Sequence, residues 1–119
     1  MAGRKPRDSW LQITRSLETY VESHPERPII VHIWASWDET GQIPRRQLQS
    51  PDVTGAFVSS GFLCLEGDAT KSDPVLLEAI EMLDRKAPPV TAIYDPETGD
   101  WGVCPEVFRT EEAIEWATR

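Results

Sequence analysis

Few side chains in this chain of 119 residues could carry out chemistry, and their spacing favours structural roles. Asp38 and Glu39 follow an apolar run, where a carboxylate can accept backbone N–H groups at the start of a helix. A catalytic pair of Asp38 with His32 is the alternative, but no nucleophile, metal cluster or phosphate loop accompanies it in the sequence. We therefore expect Asp38 to cap a helix and His32 to be a buried, neutral imidazole.

The cysteines and histidines predict neither a metal site nor a bound cofactor. Two histidines and two distant cysteines lack the close spacing of zinc ligands, and the acids of "EGDATKSD" lack the spacing of a calcium loop. Cys64 and Cys104 fit two thiols in a reducing cytosol at least as well as one structural disulfide.

Composition describes a packed globular domain with an acidic surface. Hydrophobic residues make up 39% of the chain, five residues are Trp, and the formal net charge is −8. We predict a flexible basic tail at residues 1–7 and a single domain at 8–119. The negative surface repels phosphate backbones, which argues against nucleic acid as a partner.

No apolar run approaches the roughly 18 residues of a membrane span, and the N-terminus lacks the apolar core of a signal peptide. These features predict a soluble, cytoplasmic protein. We expect a monomer.

The periodicity of apolar residues predicts a layered α/β domain. Trp10, Ile13, Leu17 and Tyr20 form one stripe of an N-terminal helix, with Ser9 and Gln12 spaced as a capping box. Three later helices are read from "GQIPRRQLQ", "SPDVTGAFVSS" and "SDPVLLEAIEMLDRKA", and Thr110 caps a final one. Four strands are predicted, in "PIIVHIWA", "GFLCLEGDAT", "PPVTAIYD" and "DWGVCPEVF".

Connection lengths fix how these strands should pair. Strands joined through helices pair in parallel, whereas the short "DPETGD" turn requires an antiparallel hairpin. The result is a four-stranded mixed sheet flanked by helices, with an extra N-terminal helix.

This element order resembles the thioredoxin fold. "VHIWASW" is similar to the strand and turn before the thioredoxin active-site helix, and "APPVTAIYD" resembles the family's cis-proline strand. "QSPDV" with "GFLCLEGDAT", and "YDPETG", resemble the thioredoxin-7, DsbD C-terminal and UAS-domain branches. The resemblance implies a cis Pro88–Pro89 bond, and a strand order that keeps Cys64 and Cys104 too far apart for a disulfide.

The chain departs from this family where redox chemistry would occur. Asp38, Glu39, Thr40 and Gly41 replace the Cys-x-x-Cys motif, so the attacking and resolving thiols are both missing. We therefore predict no enzymatic activity. The family's substrate-facing surface implies instead a groove that binds a protein or extended peptide, formed by Trp37, Asp38, Glu39, Thr40, Gly41, Pro88 and Pro89.

Three alternatives remain open at this point. Trp37 and Trp101 do not fit any buried periodicity, and Trp37 either contributes to the groove or packs over its own helix. The chain could be a thioredoxin-family oxidoreductase or redox regulator that uses Cys64 or Cys104. It could also bind lipid, as implied for some UAS relatives.

Overall fold

A computed structural model describes residues 9–118, apart from the side chains of residues 39–41. The predicted basic tail at 1–7 therefore lies outside the described residues. Within them are five strands and five helices. The strands are β1 (Trp10–Gln12), β2 (Ile29–Trp34), β3 (Leu63–Asp68), β4 (Val90–Asp95) and β5 (Asp100–Val103). The helices are α1 (Leu17–Ser23), α2 (Glu39–Leu48), α3 (Pro51–Ser59), α4 (Pro74–Met82) and α5 (Thr110–Thr118). Along the chain, these elements follow in the order β1, α1, β2, α2, α3, β3, α4, β4, β5, α5.

The strands form one mixed sheet in the order β1-β3-β2-β4-β5. β3 pairs in parallel with both β1 and β2, whereas β4 is antiparallel to β2 and to β5. The helices between β2 and β3 allow the parallel crossover, and the short turn between β4 and β5 requires an antiparallel hairpin. The parallel β2–β3 pair and the antiparallel hairpin were predicted from the connection lengths and are confirmed. The same rule predicted a parallel partner for β4, which is joined to β3 through α4, but β4 pairs antiparallel with β2, so that expectation was wrong.

The prediction of a four-stranded sheet with an N-terminal helix from Trp10 was wrong. Residues Trp10–Gln12 form a fifth strand, and the helix begins only at Leu17, where the side chain of Ser16 accepts a hydrogen bond from the Thr19 N–H. β1 pairs with Cys64–Glu66 and so covers the outer edge of β3, whose backbone groups would otherwise lack ladder partners. Pairing with β3 therefore decides the conformation of residues 10–12, although the four apolar residues have the spacing of a helix.

Apolar residues on both faces of the sheet explain the buried strands. Ile29, Val31 and Ile33 face the core beneath α1 and α4, while Ile30 faces the core beneath α3 and α5. Every residue from Ile29 to Ile33 is buried, as the continuous apolar run predicted. Among residues 9–118, no helix is long and apolar enough to cross a membrane.

"SPDV" and "SDPV" each place a capping side chain directly before a proline, which predicts a helix start, and both starts are confirmed. Ser50 and Asp73 accept hydrogen bonds from Val53 N–H and Val75 N–H, and a proline follows each of them. Pro44 lies inside α2, whose first residues are the ones that replace the redox motif.

Candidate functional site

The structure brings the two predicted parts of the binding groove to one end of the sheet. Trp37 and Asp38 lie in the turn between β2 and α2, and residues 39–41 form the first turn of α2. Pro88 and Pro89 directly precede β4, whose first residue, Val90, pairs with Ile33 near the end of β2. The Pro88–Pro89 bond is cis, as the resemblance implied. The pairing of β2 with β4 therefore places the prolines beside the turn that leads into α2.

Hydrogen bonds hold the turn before α2 in place. The Ser36 N–H donates to Thr70 Oγ1 at 2.8 Å, which ties the turn to the loop after β3. The side-chain amide of Gln42 donates to the carbonyl of Ala35 at 3.0 Å, and the Asp38 N–H donates to the same carbonyl at 3.2 Å. The residues around Trp37 are thus presented on a fixed backbone.

Trp37 is exposed at this surface, with 61% of its area accessible. An indole that packed over its own helix would lose most of that area, so the exposure favours the groove over the packing alternative. Trp101, the other tryptophan without a predicted role, is partly buried and packs against Tyr94 at 5.3 Å between ring centroids. The two tryptophans therefore differ, and only Trp37 presents a large apolar surface here.

A row of polar side chains crosses the sheet beneath α2. His32 pairs in register with Glu66 on β3 and with Thr91 on β4, and all three are buried. Glu66 in turn accepts hydrogen bonds from the side-chain amides of Gln12, on β1, and Gln49, just after α2. Each carboxylate oxygen of Glu66 therefore has an amide donor, as a buried charge requires.

Sequence reasoning identified His32 as a buried, neutral histidine but missed its polar neighbours. The available signal was position: His32 and Glu66 are each the fourth residue of a buried strand. Parallel strands of equal length place such residues side by side, which would have predicted that His32 and Glu66 are register partners.

His32 remains neutral because of its surroundings. Its Nδ1 lies 2.9 Å from Thr91 Oγ1. Burial, reinforced by the positive charge of Arg45, lowers the pKa of His32 from 6.5 to about 4. The imidazole therefore carries no charge at neutral pH.

Arg45 and Trp34 cover the end of the polar row. The guanidinium carbon of Arg45 lies 4.0 Å from the centroid of the Trp34 ring, a cation–π contact. Within residues 9–118, His32 Nε2, Trp34 Nε1 and Arg45 Nε have no hydrogen-bond partner. The cation–π contact between Arg45 and Trp34 therefore helps to hold α2 against β2.

Neither cysteine lies in the turn before α2 or in that helix. Cys64 is buried on β3, and burial raises the pKa of its thiol to about 12. Cys104 follows β5, and its N–H donates to Thr91 O at 2.7 Å. The two residues are not joined by a disulfide, as predicted, because β2 and β4 lie between their strands. In the part of the chain that the structure describes, no group of three or more His, Cys, Asp or Glu side chains could hold a metal.

Comparisons with solved structures show a thioredoxin fold. The oxidised C-terminal domain of DsbD from Neisseria meningitidis matches with a TM-score of 0.64 and 19% identity, covering 85% of this chain and 86% of that one. Chloroplastic thioredoxin z matches with a TM-score of 0.65 and 18% identity, covering 90% and 89%. The first thioredoxin domain of mouse protein disulfide-isomerase A4 matches with a TM-score of 0.63 and 10% identity, covering 93% and 74%. No protein-family model and no curated protein matches the chain.

Proposed function

We propose that this chain is a redox-inactive thioredoxin-like domain that binds an extended protein segment at the surface around Trp37, Asp38 and Pro88–Pro89. One observation carries the proposal. The turn before α2 presents a 61% exposed indole, while the thiols that redox chemistry requires are missing from the residues that follow. Large exposed aromatic side chains are typical of binding surfaces.

The environment of Cys64 supports redox inactivity. Thiol–disulfide exchange requires an accessible thiolate, and Cys64 is buried with a pKa of about 12. At neutral pH the Cys64 thiol is therefore almost entirely protonated, which makes it a poor nucleophile. We propose a reducing, cytoplasmic setting for the domain, in which both cysteines stay as thiols.

The solved structures are consistent with a surface that recognises other proteins. The structure of thioredoxin z is described as defining a type-specific target recognition. In the present chain, a segment bound across the turn and the prolines would contact the Trp37 ring. Because residues 38 and 39 are both acidic in the sequence, we expect a segment with positive charge to be favoured.

An insulin-reduction assay tests the redox half of the proposal. The wild-type domain should give no turnover above the background of dithiothreitol alone, because no reactive thiol is present at α2. Turnover that disappears in Cys104→Ser would instead support the alternative of a redox regulator. Cys104 bonds through its backbone to Thr91, two residues after Pro89, so it is the cysteine nearer the proposed surface.

Selection from a displayed random-peptide library tests the binding half. The affinity of enriched peptides would be measured by fluorescence polarisation with wild-type protein, Trp37→Ala and Leu77→Ala. Leu77 is exposed on α4 and serves as the matched control for removing an exposed apolar side chain. We expect Trp37→Ala to weaken binding about tenfold or more, as for a hot-spot residue. Equal affinities in all three proteins would exclude Trp37 from the binding surface.

A further inference from the structure

A second concave surface runs along β5 and is separate from the turn before α2. It is a groove of about 1090 Å³ between β5 and the C-terminal end of α5. Ile93 and Gly102, which face each other across the β4–β5 pair, line it together with Trp116. A Cβ atom added to Gly102 would meet no atom within 4 Å, so the glycine leaves open space beside the strand.

Among residues 9–118, the charged residues that line this groove are all acidic. They are Glu26, Asp95, Glu97 and Asp100. Asp95 and Asp100 are direct cross-strand partners, and like charges in that position repel each other unless a cation lies nearby. Arg27 adjoins the groove, but its guanidinium donates to the carbonyls of Gly61 and Phe62. The groove therefore complements a positively charged occupant.

β5 is an edge strand of the sheet in residues 9–118. The Cys104 N–H bonds to Thr91 O, and hydrogen-bonded pairs alternate along an antiparallel ladder. Gly102 therefore bonds inward to β4, while the N–H and C=O groups of Trp101 and Val103 point to the open edge. β5 contains no lysine or proline, the residues that commonly block an edge from pairing.

We propose that this edge binds an extended, basic segment of a partner protein as an additional β-strand. The backbone of the segment would pair with Trp101 and Val103. Because side chains alternate along a strand, every second residue would project over Gly102, where arginine or lysine would meet Asp95, Asp100 and the Trp116 ring.

Charge argues against a second copy of this chain as the occupant. Pairing β5 with its own copy would bring two sets of groove carboxylates together without a compensating cation from either groove. A basic partner segment instead offsets the repulsion between Asp95 and Asp100.

Two blocked octapeptides separate strand pairing from simple charge attraction. One alternates arginine with valine, and the other alternates arginine with proline, which has the same charge but cannot form a ladder. In titrations followed by amide NMR, we expect the valine peptide to shift the Trp101 and Val103 resonances and to bind about tenfold more tightly than the proline peptide. Equal affinities, or shifts confined to the Trp37 turn, would overturn the proposal.

Protein variants test the edge and the charge independently. Val103→Pro removes one outward N–H and should abolish binding of the valine peptide, with folding checked by the amide spectrum. Asp95→Asn combined with Asp100→Asn should weaken binding about fivefold, whereas the control Glu78→Gln with Glu81→Gln, on exposed positions of α4, should change it less than about twofold.

The asparagine variant retains the Oδ1 acceptor that Asp95 offers to the Glu97 N–H, which protects the hairpin turn. Equal weakening by both pairs of substitutions would mean that overall charge, not the groove, attracts the peptide. Sedimentation of the free protein as a dimer that Val103→Pro dissociates would assign the edge to a second copy and overturn the proposal.

Discussion

His32 Nδ1 lies 2.9 Å from Thr91 Oγ1 across the β2–β4 pair, in the polar row that α2 covers. This contact occupies one ring nitrogen, while the other has no hydrogen-bond partner within residues 9–118. A proton added to His32 would create a buried charge facing Arg45, whose positive charge opposes it. The nearest carboxylate in the row, Glu66 on β3, already accepts hydrogen bonds from Gln12 and Gln49. The site is therefore built for a neutral imidazole.

The domain should become less stable when the pH is lowered into the range where His32 of the unfolded chain binds a proton. The folded pKa of about 4 lies below the ordinary value of 6.5, so as the pH falls the unfolded state binds the proton first. The free energy of unfolding should therefore drop by about 3 kcal/mol as the pH falls from about 7.5 to 4, and it should no longer depend on this residue well above pH 6.5. Urea denaturation at a series of pH values measures the change.

His32→Gln provides the comparison, because carboxylates elsewhere also titrate in this range. As the pH falls through this range, the wild type should lose unfolding free energy relative to His32→Gln, because only the wild type has the buried imidazole. His24→Gln, in the other histidine of the chain, is measured alongside as a variant that removes a histidine outside the polar row. Parallel curves for wild type and His32→Gln would contradict the lowered pKa.

Cys64 should resist alkylation in the native protein. Its thiol is buried and its pKa is raised to about 12, so little thiolate exists at pH 8 and reagent cannot reach it. Treatment with iodoacetamide followed by peptide mass spectrometry should find Cys64 unmodified in the native state. Under denaturing, non-reducing conditions two thiols should react. A count of zero in monomeric protein would contradict both the separation of the cysteines and the strand order.

Restoring two cysteines at the start of α2 should create a reducible disulfide. Asp38→Cys with Gly41→Cys places the sulfurs three residues apart at a helix N-terminus, where the spacing permits a disulfide and the helix dipole lowers the thiol pKa. Mass measurement before and after dithiothreitol checks for the loss and gain of two hydrogens. Asp38→Cys alone is the control and should show no intramolecular bond. Failure of the double variant to oxidise would mean that residues 38–41 do not have the geometry of the redox motif.

Short sequence patterns predicted most of the fold, because most elements after β1 form where their own residues indicate. The apolar run Ile29–Ile33 and the Pro-initiated helices α3 and α4 fold as their own residues dictate. Residues 10–12 do not, because their state depends on the edge of β3, more than 50 positions later in the chain.

The candidate site also combines features that the sequence predicted with features that it did not. The cis bond and the turn follow from matched motifs, but the polar partners of His32 arise from contacts between distant elements. In the sequence, Glu66 is one of several acids in "EGDATKSD" to which no role was assigned. Its burial depends on amides from residues 12 and 49, which only the folded sheet brings together.

The unpredicted strand β1 is anchored by a buried hydrogen bond that can be tested directly. The Trp10 Nε1–H donates to Thr54 Oγ1 at 3.1 Å, and the Thr54 hydroxyl donates to the carbonyl of Leu48 at 2.7 Å. Thr54→Val keeps the shape of the side chain but leaves both groups unpaired, so we expect the unfolding free energy to fall by about 2 kcal/mol or more. Thr118→Val, which removes an exposed hydroxyl bond on α5, should cost less than about 0.5 kcal/mol.

A double-mutant cycle isolates the contact between β1 and α3. In a Trp10→Phe background the indole donor is already gone, so Thr54→Val should cost about 1 kcal/mol less than it does in wild type. Chemical denaturation of the four proteins at one pH gives the coupling energy. If Trp10 instead lay on a helix that began at Ser9, it would not be bonded to Thr54 and the two substitutions would be additive. A coupling near zero would therefore restore the helical prediction for this segment and remove β1 from the sheet.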